Sequence, residues 1–303
     1  MMFAGFIARR AGVLRVSDAG VVRSVVANIT GPAFVFASIY GKEINTQMCL
    51  APIVHFGSLV LVLVLAYLAA MILKLDRPTT GGLMLAAAFG NTGFLGYPLA
   101  TAAFPNDPQA LPTAVMVDQL GMTVPLYSLG IAIAVAFGAK DSTRSHVLGF
   151  AKTPLFISMM LVFAMRLPYL RAIHIPSFIL GSGLPDGMGV INYLSAATIP
   201  LAMISLGMSI SRMPIRPIIW PFIAAISLKF LAMPLFSLIG LRFAGITGTV
   251  FNVTMMESIV PTAIMASVIA GRYGSNGAFV SATTFVMMLL SIGIIPLFLH
   301  MIH

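Results

Sequence analysis

A chain of 303 residues in which 59% are hydrophobic and only 8% are charged cannot cover a water-soluble surface, because an ordinary soluble domain is about a quarter charged. A mean hydropathy of +1.02 and a net charge of +9 carried by basic residues scattered singly between apolar runs exclude a nucleic-acid partner, which would ask for a basic stripe. The single cysteine, Cys49, excludes an intrachain disulfide framework and a cysteine-rich metal or iron–sulfur site, and nothing in the chain asks for a cofactor.

Met1–Ala8 is an apolar stub followed at once by Arg9 and Arg10, with no small-residue cleavage site. It reads as the tail of a first transmembrane helix rather than a signal peptide, and is too short to span. Apolar runs then follow at Val21–Ile39, Ile53–Leu73, Thr80–Phe104, Ala110–Phe137, Leu148–Leu167, Val190–Ile210, Ile218–Leu241, Thr249–Ala270 and Ala278–Ile302. Each is close to the length of about 20 residues that a bilayer demands of a helix. The connections are short, polar or rich in Pro and Gly, and none has room for a domain. The expected fold is an all-α polytopic membrane protein.

Basic residues on alternate connections fix an orientation. Arg9, Arg10, Arg15, Lys74, Arg77, Lys140, Arg144, Arg212, Arg216 and Arg272 fall on one side, against Lys42, Arg171 and Arg242 on the other, with Arg166 at the border. The first side is expected to be cytoplasmic, which places the C-terminal His303 outside.

Ten segments, counting the stub, divide into two sets of five. Pro32 in "ITGPAFVFAS" and Pro200 in "ATIPLAMISL" are separated by nearly the same distance as Gly90 in "GNTGFLGYPLATAAF" and Val260 in "VPTAIMASVIAGRYG". An inverted repeat is therefore expected, 1–145 holding the stub and helices two to five, 146–303 holding helices six to ten, within one integral membrane domain.

The fourth run is the most informative. Gly90, Asn91, Thr92, Gly93, Gly96 and Pro98 crowd its middle; Pro98 obstructs the preceding turn and the glycines ease departure from helical geometry. Non-helical backbone at that depth is tolerated only when it is buried in protein or lines a cavity, so the break argues for a polar site. A simple kink or close helix packing is the bland alternative, and Pro261 and Thr262 in the matching ninth run tip the balance toward a site. Half-helix N-termini meeting there suit a carboxylate, with Asn91, Thr92 and Thr262 as further donors. Asn28 beside Pro32 is either a cavity residue or interhelical glue.

Charged residues within spans are costly and each needs a reason. Glu257 precedes Pro261 by one turn and is a candidate proton-coupling group, the alternative being a solvated interfacial carboxylate. Asp118, beside Gln119, needs a partner and is expected in a structural ion pair; Lys229 in "ISLKFLAMPLF" is expected to attract an anion. His55, His146, His174, His300 and His303 lie near span ends with no shared face, so no metal site is expected.

The stretches "FGNTGFLGYPLATAAF", "IPLAMISLGMSI" and "ESIVPTAIMASVIAGRYG", with "GFIARRAGVLRVSDAGVVRSVVANITGPAFVFASI" near the start, resemble signatures of the auxin efflux carrier family. That resemblance covers nearly the whole chain. It implies a permease of the bacterial inner membrane that moves auxin-like weak acids or small carboxylates. It also implies two inverted five-helix repeats, broken fourth and ninth helices crossing at the midplane, an elevator-like shift against a scaffold, and homodimerisation through that scaffold. On these residues the crossover falls near Gly96–Pro98 and Met265–Ser267. Two departures stand out: the first helix is short, and Ala266 occupies a place where plant members carry proline.

An intramembrane hydrolase would need a G-x-S-x-G elbow or an H-E-x-x-H motif, and neither occurs. A channel would favour polar rings along several helices over one central cluster. The nearest rival is a sodium-coupled organic anion symporter of the bile-acid type, for which Asn91, Glu257 and Gln119 are the available ligands. The expected coupling ion is thus a proton or sodium.

Overall fold

A computed structural model of the chain describes residues 2–15, 17–40, 42–138, 153–165, 179, 189–209 and 219–302. The expected repeat boundary at 145/146, the connections bearing Lys140, Arg144, Arg166, Arg171, Arg212 and Arg216, and His146, His174 and His303 lie outside the described residues.

The chain opens with α1 (Met2–Arg10), α2 (Asp18–Val25) and α3 (Gly31–Ile39), and continues through α4 (Thr46–Ile72) and α5 (Arg77–Ala88). After a break come α6 (Tyr97–Ala103), α7 (Ala110–Met116), α8 (Ile131–Phe137) and α9 (Pro154–Ala164). The second part holds α10 (Val190–Ser209), α11 (Ile219–Ser227), α12 (Met233–Phe243), α13 (Gly248–Ser258), α14 (Ile264–Tyr273) and α15 (Gly277–Ile302). The fold is all-α, and among the described residues five continuous helices, at Asp18–Ile39, Thr46–Ile72, Ala110–Phe137, Ile219–Phe243 and Gly277–His300, are long and apolar enough to cross a membrane.

Five turns among the described residues are wound wider than the α-helix, and four of them run up to a proline. Val26–Thr30 precedes Pro32, Thr92–Gly96 precedes Pro98, Val117–Thr123 precedes Pro125 and Leu228–Ala232 precedes Pro234. Proline offers no N–H to the carbonyl four residues back and its ring crowds that turn, so the helix widens to relieve both. All four of these wide turns carry polar residues of interest: Asn28, Thr92, the Asp118–Gln119 pair and Lys229.

Helix starts are set by local caps. Asn45 accepts from the Met48 N–H (2.9 Å), which starts α4 seven residues before its apolar run at Ile53, and Asn276 accepts from the Phe279 N–H (3.0 Å) at the head of α15. Side-chain oxygens at such positions satisfy amides that no preceding turn can reach.

The helices divide into two compact units that cut across the expected halves. Met1–Glu43 with Phe150–Ser211 form one; Ile44–Gly149 with Arg212–His303 form the other. In the first, α1 packs on α10, made possible by Gly5, whose missing side chain admits the Ile204 backbone. Arg9 donates to Met208 O (3.1 Å), and Ser158 to Pro32 O (2.5 Å). In the second, α4, α5, α8, α11, α14 and α15 surround a core that includes Leu59, Leu83, Leu85, Phe89, Met122 and Met287. Five of these, Leu59, Leu83, Leu85, Phe89 and Met287, are fully shielded. The polar cluster described next lies wholly within this second unit.

Candidate functional site

Two helices of the second unit stop in mid-span. α5 ends at Phe89, whose backbone turns extended (φ −89°, ψ 114°), and α13 ends at Ile259. The freed segments then meet: Gly90 and Thr262 form an isolated antiparallel bridge, the Asn91 N–H donating to Pro261 O (2.8 Å) and the Ala263 N–H to Phe89 O (2.9 Å). Each break thus supplies the hydrogen bonds the other has lost, which is what backbone inside a bilayer requires. Pro261 suits its place because it contributes only a carbonyl there.

The crossing lies earlier than the Gly96–Pro98 and Met265–Ser267 expected from the sequence. Gly96 and Pro98 lie within the continuous winding from Thr92 to Ala103, with Pro98 near its start, and Met265–Ser267 lie inside α14. The physical reason is that a proline in the first turn of a helix needs no intrahelical donor; Pro98 widens its helix instead of ending it, and the break sits where a partner strand is available.

Side chains close around this bridge. Thr262 Oγ1 donates to Ala86 O (2.6 Å) with Met287 Sδ at 3.0 Å, and the Gly90 N–H points at Met122 Sδ (3.3 Å). Lys229, on the wide turn before Pro234, is wholly buried and brings its ammonium so close to Gly90 that an alanine Cβ there would fall 2.8 Å from Nζ. Gly93 faces the Asp118 carboxylate in the same way (3.3 Å), and Gly96 leaves the space that the Glu257 carboxyl fills. Gly90, Gly93 and Gly96 therefore each make room for a different ionisable group.

Asp118 is not in the ion pair expected for it. Its carboxylate receives the hydroxyls of Thr92 and Tyr97, the Gln119 amide Nε2 (2.7 Å) and the Thr123 hydroxyl (3.3 Å). The Gln119 Nε2 also reaches the Tyr97 oxygen at 3.1 Å. Neutral donors satisfy it in place of a cation, and it lies against Gly93 in the first turn of the Thr92–Ala103 helix, at the positive end of that helix dipole. That N-terminus is already held by a carboxylate of the protein itself. The N-terminus of α14, in contrast, has no acidic residue in its first turn.

Other polar groups in the cluster have no hydrogen-bond partner among the described residues. Asn91 Nδ2, Lys229 Nζ, both oxygens of Glu257 and the Gln119 amide oxygen are buried and unpaired there, in residues at most 4% exposed. An unpaired buried polar group costs about 1–3 kcal/mol, so a cluster of them inside a span calls for a physical reason.

Of the residues singled out from sequence, Asn91, Thr92, Asp118, Gln119, Lys229, Glu257, Pro261 and Thr262 are brought into this neighbourhood, with Gly96 and Pro98 on the helix that leaves it. Asn28 belongs to the first unit; its side chain is exposed and its Nδ2 donates to Ser24 O (2.8 Å), a bond within its own turn. His55 was not among the sequence candidates. It is fully buried on α4 against Gly121, and neither ring nitrogen has a partner. Tyr97 and Thr123 were missed as well. Tyr97 adjoins Pro98 and was readable from the motif, whereas Thr123 meets Asp118 only because the wide turn brings residues five apart together.

The family model described as "Membrane transport protein" matches residues 1–299. A protein of Methanocaldococcus jannaschii named as an uncharacterized transporter is 31% identical over 303 residues, covering 98% of this chain and 94% of that protein. A second protein so named, from Methanothermobacter thermautotrophicus, is 30% identical over 310 residues, covering 98% and 93%.

Proposed function

From its membership of the membrane transport protein family, that of the auxin efflux carriers, we propose that this integral membrane protein is a secondary carrier for a small organic anion, a carboxylate or auxin-like weak acid. The observation that carries the reading is the pair of buried donors, Asn91 Nδ2 and Lys229 Nζ, left without acceptors at the crossing of two interrupted helices. An anion supplies both acceptor and countercharge in one step, and the uncapped α14 N-terminus adds its dipole. Pro261 and Thr262 shape the crossing, and Glu257 is the coupling group through which a cation accompanies the cargo.

Transport in this reading is of the elevator type, the site-bearing unit shifting against the other. Support comes from the confinement of the whole cluster to one compact unit. Two inverted repeats, 1–145 and 146–303, are supported by the antiparallel pairing of the two interruptions and by each unit drawing helices from both halves. The protein carries out this transport without chemistry on its cargo.

A thermal-stability screen of purified protein against monocarboxylates, dicarboxylates and indole acids is expected to show one class raising the melting temperature, and the stabilising anion is then expected to exchange in proteoliposomes. Lys229→Met and Asn91→Ala should abolish both effects while the protein stays monodisperse. Full anion-dependent stabilisation in both variants would remove the crossing as the binding site.

A further inference from the structure

Donors and acceptors left bare at the crossing fall into two sets, and the anion reading accounts for only one. Asn91 Nδ2 and Lys229 Nζ are donors; Glu257 Oε1 and Oε2 and Gln119 Oε1 are acceptors, and an organic anion satisfies none of these three. Glu257 is fully buried and Gln119 is 2% exposed, so bulk water does not serve them.

Resting on the carrier reading, we infer that the Glu257 carboxylate and the Gln119 amide oxygen form a site for one sodium ion that accompanies the anion. Three arguments lead there. First, the three segments involved pack against one another: α13, which carries Glu257 next to its last residue; the Thr92–Gly96 turn, whose Gly96 seats the carboxyl; and Val117–Thr123, which carries Gln119. Gln119 Nε2 is committed to Asp118 (2.7 Å), which fixes its oxygen as the free end of the amide.

Second, Glu257 stands at the C-terminal end of an interrupted helix, where the dipole is negative and carbonyls lie unpaired by the helix itself. Such ends, with unwound backbone, are where carriers coordinate cations. Third, a proton bridges at most two oxygens, leaving one of the three bare, whereas a hard cation takes several oxygen ligands at once.

The surrounding charges are compatible. Asp118 on the 117–123 turn is already satisfied by four donors. Lys229 on the 228–232 turn brings its ammonium to Gly90, and no ion pair with Glu257 forms among the described residues. The Tyr97 hydroxyl is given to Asp118, and His55 stands on α4 against Gly121. With Asp118 and Glu257 as carboxylates and Lys229 as ammonium, the cluster lacks one positive charge. A monovalent cation makes it neutral before the anion arrives.

The test uses the full chain, purified in detergent, with NaCl titrated against choline chloride at constant ionic strength and KCl run in parallel. Sodium is expected to raise the melting temperature in a saturating manner, while potassium and choline do not. On acidification, protons should compete for Glu257, so that about tenfold more sodium is required per pH unit once they bind there. Glu257→Gln should lose the sodium shift, and Gln119→Met should raise the half-saturating sodium concentration about tenfold.

Equal melting temperatures of the wild type in sodium, potassium and choline at every pH overturn the proposal, whatever the variants do. So does a stabilisation by acid alone that vanishes in Glu257→Gln, since the site then takes only a proton. A carboxylate that stabilises the protein without any sodium effect overturns this inference and leaves the carrier reading intact. A sodium shift with no organic anion active does the reverse.

Discussion

Replacing Gly96 with alanine tests the closest approach in the cluster. An ideal Cβ at this position would lie 2.6 Å from the carboxyl carbon of Glu257, well inside contact distance, with the carboxyl oxygens closer still. Forcing an extra methyl into a filled interior costs about 1–3 kcal/mol, while alanine's better helix propensity returns up to about 1 kcal/mol at a helical position. Gly96→Ala is therefore expected to lose up to about 3 kcal/mol net, a value that does not by itself identify the cause.

A double-mutant cycle with Glu257→Ala isolates it. Without the carboxyl there is nothing for the methyl to strike, and alanine at 96 becomes neutral or stabilising by up to about 1 kcal/mol. The expected coupling between the two positions is about 1–3 kcal/mol, read by equilibrium denaturation in detergent micelles followed by far-ultraviolet circular dichroism. A coupling below about 0.5 kcal/mol, the level at which distant sites already add, would refute the seating of Glu257 against Gly96, and with it the sodium site built on that seat.

Three further outcomes follow from the same geometry. Gly90→Ala should drive the Lys229 ammonium from its place, since the new Cβ falls 2.8 Å from Nζ and 3.0 Å from Val260 Cγ2; the anion concentration needed for half-maximal stabilisation is expected to rise about tenfold, equivalent to about 1.4 kcal/mol. Gly57→Ala, where nothing lies within 4 Å of the added carbon, is the control and should leave it unchanged. Asp118→Asn turns an amide N–H₂ toward donors that now serve a carboxylate, and its denaturation midpoint should fall by the equivalent of about 1–3 kcal/mol for each donor stranded. Thr262→Val removes the hydroxyl given to Ala86 O and should cost about 1 kcal/mol, a loss that Thr262→Ser restores in the same denaturation assay.

Much of the fold was legible because it depends on local composition. Apolar runs of bilayer length mark helices wherever they occur, and the observed helices at Thr46–Ile72, Ala110–Phe137, Ile219–Phe243 and Gly277–Ile302 match the runs read for them to within two residues, apart from the earlier start of the first. Interruption of the fourth and ninth runs was legible for the same reason, since glycine, proline and asparagine within an apolar span disturb their own turn. Where each interruption falls was not. Pro98 looks like a breaker in isolation, yet the chain unwinds at Phe89–Asn91 because Pro261–Ala263 is there to exchange backbone hydrogen bonds with it.

Partnerships followed the same division. The cost of burying a charge requires that Asp118 have company, but a costly charge can be settled by a cation or by several neutral donors. Only the packing of Thr92, Tyr97, Gln119 and Thr123 around it decides for the donors. His55 reads from the sequence as a histidine near a span end that shares no face with another, and its burial against Gly121 is a contact between distant segments. What the sequence by itself determined is the solvent this protein lives in, the place and rough extent of several of its apolar helices, and which spans are broken, all properties of consecutive residues. The tertiary structure alone decided where the breaks cross, which carboxylate is satisfied, and which donors and acceptors stay bare, because each depends on backbone and side chains that meet from distant parts of the chain.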